Sequence, residues 1–192
     1  MARQDPIKVD DAVLLERVQR GDEAAFAALY ERHQRAIYRY AMHMCGPEAA
    51  DDVVQDTFLA VIRSGLGFDA ARGTVAAYLF GIARHHILKR IAECGMRHAE
   101  FEDTEAMNPQ PSPLAELQRA ETIAQVREAV GTLPPAYREV VVLCELQEMD
   151  YADAASVLEC PIGTVRSRLH RARALLAQKL TSRRKDVAGV ER

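Results

Sequence analysis

Near the C-terminus, four side chains able to recognise nucleic acid recur at helical spacing. They follow the pattern i, i+1, i+4, i+5, which places them on one face of a helix. Arginine can form two hydrogen bonds to a guanine edge, and serine and histidine can bond bases or phosphates. The spacing therefore predicts a helix whose outer face contacts the major groove of DNA. The four residues are Arg166, Ser167, His170 and Arg171.

The charges around this face are segregated along the chain. Residues 160–185 contain eight Arg or Lys and no acid, although the net charge of the whole chain is −3. Like charges repel on a helix, so the run favours contact with phosphates, and a plain solvated face is the alternative. Arg168 and Arg173 are predicted to neutralise phosphates. Thr164 lies at the N-terminus of the helix, where free N–H groups suit a phosphate.

Residues that bind metals or catalyse reactions form no matched set in this sequence. The cysteines, at positions 45, 94, 144 and 160, include no C-x-x-C pair, and zinc sites need closely spaced ligand pairs. Adjacent His85 and His86 point about 100° apart on a helix. Asp51, Asp52 and Asp56 lack a second acidic cluster to complete a site. The sequence therefore predicts no metal, no cofactor and no catalytic residue, and the chain is not expected to be an enzyme.

The elements that must position these residues are all predicted to be helices. Ala, Leu, Arg and Glu dominate the composition, which favours helix, and no period-two alternation predicts a sheet. Asp10 or Asp11, Asp22 and Asp150 are predicted N-caps. The predicted helices are AVLLERVQR, EAAFAALYERHQRAIYRYAMHMC, PEAADDVVQDTFLAVIRS, residues 74–92, LAELQRAETIAQVREAVGTL, AYREVVVLCELQE, and a final pair within residues 150–180.

That final pair has the spacing of a helix-turn-helix. A short helix, a tight turn at Pro161 and a longer helix from about Ile162 to Lys179 follow one another. Ala154 and Ala155 are small enough for two helices to cross closely. The predicted hydrophobic seam consists of Val157, Leu158, Ile162, Val165, Leu169, Ala172 and Leu176.

The third and fourth predicted helices each have an apolar stripe. The third also has an acidic face opposite its stripe. On the third helix the predicted core residues are Val53, Val54, Phe58, Val61 and Ile62, and the acidic face carries Asp51, Asp52, Gln55 and Asp56. On the fourth helix the predicted stripe is Val75, Tyr78, Leu79, Ile82 and His86.

Residues 95–113 are predicted to divide the chain into two small helical domains. This segment, GMRHAEFEDTEAMNPQPSP, combines acids with three prolines, as an extended linker does. The prediction is therefore an all-α chain with domains at 1–94 and 114–192, joined by an acidic, Pro-containing linker. No apolar stretch approaches the roughly 20 residues that cross a bilayer, and the N-terminus lacks a signal-peptide core. We expect a cytoplasmic protein without membrane insertion.

Three segments, in this order, resemble group IV, or extracytoplasmic-function, sigma factors of bacterial RNA polymerase. The resemblance covers residues from about Asp22 to Leu180 and is most specific in the last segment. It implies a transcription initiation factor with a sigma region 2-like domain, which binds core polymerase and the −10 element, and a region 4-like domain, which binds the −35 element. The segments are DDVVQDTFLAVIR, AAYLFGIARHHILKR and LPPAYREVVVLCELQEMDYADAASVLECPIGTVRSRLHRARALL.

The resemblance also implies partners and sites. The acidic face of the third helix (Asp51, Asp52, Gln55, Asp56) would contact the clamp helices of the polymerase β′ subunit, and the chain would also meet the β flap. The fourth helix would contact the −10 element and assist promoter melting, which requires binding energy that favours the unstacked strand. An anti-sigma factor is a further implied partner. Basic residues off the core stripe of the fourth helix, able to meet phosphates or flipped bases, are Arg84, His85, Lys89 and Arg90.

One departure from the family and one alternative stay open at this point. Members commonly carry Asn where His85 stands, so the −10 specificity of the family does not carry over. The alternative function is a helix-turn-helix regulator that binds an operator as a dimer, without being a polymerase subunit. Such a protein would need a symmetric interface and would bind duplex DNA without polymerase.

Overall fold

The computed structural model describes residues 9–63, 67–94 and 123–189, with side chains described through Thr181 apart from Cys94. Within these residues the regular structure is helical and includes no strand, which confirms the all-α prediction. None of the helices in these ranges is long and apolar enough to cross a bilayer. The predicted linker, 95–113, and the beginning of the helix predicted after it lie outside the described residues.

The first domain is a bundle of four helices. They are α1 (Asp11–Gln19), α2 (Glu23–Cys45), α3 (Pro47–Arg63) and α4 (Val75–Cys94), with a 3-10 turn at Ala70–Arg72. The long helix α2 packs against α1, α3 and α4, and α3 also packs against α4. The acidic face of α3 and the basic residues of α4 therefore lie on neighbouring helices.

The second domain contains α5 (residues 123–131), α6 (Pro135–Val141), α7 (Tyr151–Leu158) and α8 (Ile162–Gly189). The sequence predicts a helix over residues 136–148, and the structure is helical from Pro135 to Leu146, although its second half is not an α-helix. Residues Val142–Leu146 form a π-helical segment, in which Gln147 N–H donates to the Val142 carbonyl, five residues back, at 3.0 Å. Such segments hold an extra residue per turn. The chain leaves this segment at Glu148, which has a positive φ of 52°.

The three predicted aspartate N-caps are confirmed. In each case the carboxylate accepts a hydrogen bond from backbone N–H groups of the first helical turn, which have no partner within the helix. A cap of this kind stabilises a helix by about 1 kcal/mol. The contacts are Asp10 to Ala12 N at 2.8 Å, Asp22 to Ala25 N at 3.0 Å, and Asp150 to Ala152 N and Asp153 N at 2.8 Å each.

Most residues of the predicted apolar stripes lie in or against the core. His86, predicted on the stripe of α4, is instead half-buried beside Asp56, and the neighbouring Ile87 is buried in the core. Two further residues are exposed. Ile62 is 51% exposed and Ile162 is 41% exposed. At about 100° per residue, Ile62 lies about 40° further round α3 than Phe58, beyond the edge of the buried stripe. Ile162 is the first residue of α8, where the chain enters from the turn. The buried side chains from the predicted stripes include Val53, Val61, Leu79, Val165, Leu169 and Ala172.

The two domains pack against each other. Helix α7 lies against α4, and α6 with its π-helical segment lies against α2. Buried residues of both domains form one continuous apolar cluster. Two charged residues, Arg138 and Glu139, are buried where the domains meet, at 6% and 7% exposed. Buried charges require compensating partners, and these two have them in both domains.

The imidazole of His43 is buried near this junction. Burial, followed by the charges of Arg127, Arg138 and Arg39, lowers its pKa from 6.5 to about 4. In the unfolded chain the same group takes up a proton near pH 6.5, so the stability that depends on its neutral form is lost as the pH falls from 6.5 towards 4. We expect the free energy of unfolding to decrease by about 1–2 kcal/mol between pH 7 and pH 5. Urea denaturation at both pH values measures this, and an equal decrease in His43→Gln would contradict it.

Candidate nucleic-acid interface

The predicted helix-turn-helix is present, with α7 and α8 packed against each other. Ala154 at the crossing is fully buried, as are Val165 and Leu169 on the facing side of α8. The turn between the helices begins at Glu159, which adopts the left-handed conformation at φ 52°. Cys160 N–H then donates to the Ala155 carbonyl at 3.1 Å, which satisfies an orphan carbonyl at the end of α7. The outer face of α8 is thereby held at a fixed angle.

The four residues predicted to read bases are all exposed on that outer face. They are Arg166, Ser167, His170 and Arg171. Thr164 and Arg168, predicted to meet phosphates, are half-buried beside them. Among the described residues, Arg168 and Arg171 form no ion pair. Both side chains are therefore available to an external anion, and Arg171 is on the face predicted to read bases.

Arg166 has a neighbour that the sequence interpretation overlooked. Its Cζ atom lies 5.8 Å from the centre of the Tyr151 ring, within cation–π range. Beside it, the Ser167 hydroxyl donates to the Thr164 carbonyl at 3.0 Å. Tyr151 is the first residue of α7, so the short helix supplies an aromatic surface to the long one. An aromatic residue directly after the N-cap Asp150 is the signal that sequence reasoning had available.

Arg173 differs from the other cations of α8 whose side chains the structure describes, because a carboxylate already neutralises it. Its Nε atom donates to Glu145 Oε1 at 3.1 Å, and its Nη2 also contacts that oxygen. The hydrogen bond to Glu145, followed by the charge of the same carboxylate, raises the pKa of Arg173 above its ordinary value. Glu145 lies outside the acid-free run, in the π-helical segment. A DNA phosphate would therefore have to displace the carboxylate of Glu145 before it could contact Arg173 as predicted.

The basic residues of α4 are not brought together as one surface. Arg84 points at the second domain, where its Nε donates to Glu139 Oε1 at 2.9 Å. Arg90 points at α3. Lys89 is exposed, with Glu93 of the same helix at 3.9 Å. His85 is exposed as well and lines a cleft of about 340 Å³ between α4 and α7. Of these four residues, only His85 thus has no carboxylate within 4 Å in the described part of the chain, while the pair of Lys89 with Glu93 is exposed and long.

The acidic face of α3 is partly compensated, whereas the sequence suggests an uncompensated one. Arg90 donates to Asp52 at 3.1 Å and to Asp56 at 2.9 Å. The hydrogen bond to Asp56 has the largest effect on the pKa of Arg90, and together with Asp52 it raises that pKa above its ordinary value. Asp51 and Gln55 are exposed on the same face, and Asp51 makes no ion pair among the described residues. The charge available to a basic partner is therefore concentrated at Asp51.

A buried polar cluster joins the two domains at Glu139. One oxygen of this carboxylate, Oε1, accepts from the Tyr40 hydroxyl and from Arg84 Nε, each at 2.9 Å. Burial, followed by the neighbouring carboxylate of Glu139, raises the pKa of Tyr40 well above its ordinary value. The phenol therefore stays protonated and remains a donor. The sequence interpretation did not single out Glu139, although an acid inside the apolar run YREVVVLC is unusual.

Two family models match the chain in the order of its domains. One is described as sigma-70 region 2 and matches residues 29–93, and the other is described as sigma-70, region 4 and matches residues 123–176. The chain is 33% identical to the RNA polymerase sigma-H factor of Pseudomonas aeruginosa, over 88% of this chain and 93% of that protein. It is 30% identical to the ECF RNA polymerase sigma-E factor of Haemophilus influenzae, over 90% and 96% of the respective chains.

Two solved structures are similar to the chain as a whole. The structure of CnrH in complex with the cytosolic domain of CnrY matches with a TM-score of 0.67 and 28% identity, over 90% of this chain and 97% of that chain. The sigma factor RpoE in complex with the anti-sigma factor NepR, from Bartonella quintana, matches with a TM-score of 0.57 and 27% identity, over 77% and 91%. The likeness extends over both helical domains.

Proposed function

The chain belongs to the sigma-70 family of RNA polymerase sigma factors, in its extracytoplasmic-function group, and on that premise we propose how its surfaces direct polymerase to a promoter. It acts as an alternative sigma factor that binds core RNA polymerase, recognises the −35 and −10 elements and assists melting. We expect the chain to catalyse no covalent step itself and, because core polymerase and promoter DNA are its proposed partners, to act in the cytoplasm. The observation that carries the proposal is the exposed outer face of α8 on a complete helix-turn-helix.

The −35 element is read by the outer face of α8. Arg166 and Arg171 are the residues best suited to guanine, because a guanidinium can bond O6 and N7 together. Ser167 and His170 contribute hydrogen bonds to bases or phosphates. Arg168 is half-buried and forms no ion pair in the described residues. It binds a phosphate of the DNA backbone and so fixes the register of α8 on the duplex. Thr164, at the start of the helix, binds a phosphate.

Tyr151 orients Arg166 for this reading. A ring beneath the guanidinium limits the rotamers that the long side chain samples, so less entropy is lost when it meets a base. Tyr151→Leu is expected to reduce discrimination at the base pair read by Arg166 about two- to fivefold, the value of an exposed cation–π contact. Competition between promoters with single-base changes in the −35 element measures it. Tyr151→Phe keeps the ring and is the matched control; equal effects of Leu and Phe would contradict the stacking role.

The −10 element is contacted by the exposed side of α4. His85 and Lys89 are available there, whereas Arg84 and Arg90 have carboxylate partners in the free chain. Lys89 neutralises a phosphate, and His85 faces an unstacked base or the adjoining backbone. Arg84 and Arg90 must each give up their carboxylate partners before they can contact DNA phosphates.

Core polymerase is bound through the outer face of α3. Asp51 carries the uncompensated charge of this face and is the residue we expect to steer association with a basic surface such as the β′ clamp helices. Asp51→Asn should slow association with core polymerase a few-fold at low salt, and the difference should vanish at high salt. Asp56→Asn is the comparison, since its carboxylate already bonds Arg90. If Asp56→Asn slows association more than Asp51→Asn, the assignment is wrong.

We also propose that an anti-sigma factor regulates the chain. The support is the likeness to RpoE, whose structure contains the anti-sigma factor NepR, at 27% identity. A partner of this kind would bind the chain in competition with polymerase.

Run-off transcription tests the proposed function directly. Purified core polymerase is supplied with this chain, and fragments of its own genome serve as templates. We expect initiation at specific promoters that depends on the chain. A chain that binds duplex DNA alone and adds no promoter-dependent initiation would instead be the dimeric regulator considered above.

A further inference from the structure

Arg166 and Arg173 lie along one edge of α8. At about 100° per residue, seven residues return to nearly the same direction, so the two side chains leave the helix on one line, about 10 Å apart. The other residues predicted to read bases are displaced by about 40–140° round the helix. The edge of Arg166 and Arg173 faces α7, because the Arg166 Cζ atom is 5.8 Å from the centre of the Tyr151 ring. Arg173 therefore lies at the border of the outer face and not at its centre.

Tyr151 contacts both arginines of this edge. It is the first residue of α7 and is 36% exposed. Its ring faces the guanidinium of Arg166. The hydrogen bond to Glu145 and the charge of that carboxylate raise the pKa of Arg173 most, and a hydrogen bond with the Tyr151 hydroxyl adds to the rise. The tyrosine is thus held at its hydroxyl by one arginine and presents its ring to the other.

Glu145 holds Arg173 from a segment that is itself fixed in the core. One carboxylate oxygen, Oε1, accepts from Arg173 Nε at 3.1 Å and also contacts Nη2. Glu145 belongs to the π-helical segment Val142–Leu146, whose first two residues are fully buried. Departures of this kind from the α-helix are frequent at functional sites. The π-helical segment therefore sets the position of the Arg173 guanidinium beside α7.

The pair of Glu145 and Arg173 is poorly suited to two simpler roles. A phosphate that approached Arg173 would be repelled by the carboxylate at the same place, so the pair as a whole offers DNA little net attraction. The two side chains are also 40% and 58% exposed, and exposed ion pairs add little to stability. What the pair does supply is a fixed hydrogen-bonding partner for the Tyr151 hydroxyl.

We propose that Glu145 and Arg173 are positioning residues, which hold Tyr151 beneath Arg166 and thereby determine how sharply the chain discriminates the base pair that Arg166 reads. This inference rests on the proposed function. A surface tyrosine without this partner samples further rotamers, and the Arg166 side chain then loses more entropy when it meets a base. Arg173 acts through Tyr151 in this scheme and makes no contact with DNA.

Glu145→Gln tests the proposal, because it removes the charge and keeps the shape of the side chain. The base pair is first identified as the one at which Arg166→Ala abolishes discrimination. Glu145→Gln should reduce discrimination there about two- to threefold, within the range of an exposed cation–π contact, and leave the slope of log K against log salt unchanged. Run-off competition with core polymerase and single-base promoter variants measures both. Glu148→Gln, an exposed acid without an ion pair in the described residues, is the matched control and should have no effect.

A combination of variants shows whether Glu145 acts through Tyr151. Independent residues have additive effects, whereas Glu145→Gln should add nothing to Tyr151→Leu, and Arg173→Gln should match Glu145→Gln. Additive effects overturn the proposal, and so does unchanged discrimination in Glu145→Gln or an equal loss in Glu148→Gln.

A DNA phosphate at Arg173 is the competing outcome of this experiment. Glu145→Gln would then strengthen all promoters alike, and Arg173→Gln would reduce the salt slope by about 1, which also overturns the proposal. Failure of the unmodified chain to initiate overturns the proposed function instead. Discrimination between duplex DNA sequences by the chain alone, compared across the same variants, still reports the positioning of Arg166 in that case.

Discussion

Polymerase carrying the Arg171→Ala chain is expected to bind its −35 element about 5- to 150-fold less tightly, which corresponds to 1–3 kcal/mol for a lost bidentate guanine contact. Arg166→Ala should have an effect in the same range. The loss should be confined to the base pair that each arginine reads. Templates with every substitution at each −35 position, compared in run-off competition, measure it. Because Arg171 is exposed and forms no ion pair in the described residues, its removal should not change the free energy of unfolding.

Arg168→Ala provides the contrast for this experiment. If Arg168 contacts phosphate, its loss should weaken all promoters uniformly and reduce the slope of log K against log salt by about 1. Arg173→Ala should weaken binding less, because Glu145 already neutralises that side chain in the free chain. An unchanged promoter preference in both Arg166→Ala and Arg171→Ala would remove the face of α8 from base reading and leave it as a phosphate contact only.

Features governed by local chemistry could be predicted from the sequence. Asp10, Asp22 and Asp150 cap helices because a carboxylate one residue before a helix meets N–H groups of the first turn whatever the rest of the fold. The outer face of α8 follows from the period of 3.6 residues. The buried seam of the helix-turn-helix followed from the same period, except at Ile162, where the helix begins and no neighbour covers the side chain.

Features that depend on packing between helices could not be predicted in this way. Nothing local to α4 indicates that Arg90 bonds carboxylates of α3 or that Arg84 bonds one in another domain; these pairs exist only once the helices are adjacent. The apolar run of α6 likewise does not indicate which of its residues form contacts with other helices. Its period predicts a core helix, but not that Glu139 and Arg138 enter the core with it. For this reason the sequence predicts the residues available on the proposed −10 and polymerase surfaces less completely than those on the −35 surface.

Replacing Arg138 by Ala is expected to decrease the free energy of unfolding by about 2–4 kcal/mol, because three backbone carbonyls lose a charged donor. The guanidinium donates to the carbonyls of Gly131 and Leu133, the latter at 3.2 Å, and to that of His43 at 3.4 Å. Two of these carbonyls follow or end α5, and the third belongs to α2 of the first domain. Truncation leaves buried acceptors without a donor in both domains. Urea denaturation followed by circular dichroism measures the change.

The charge of Arg138 makes this expectation specific. Burial lowers its pKa from the ordinary value, yet a guanidinium remains protonated in proteins, so the side chain must hold several acceptors to offset its desolvation. Arg138→Lys keeps the charge but replaces a planar fork with a compact ammonium, and should therefore recover less than half of the loss. Arg17→Ala removes a half-buried surface pair with Asp22 and should cost about 1 kcal/mol or less. If Lys restored full stability, charge alone would matter. The junction between the domains would then depend on electrostatics and not on the fork geometry that joins α5 to α2.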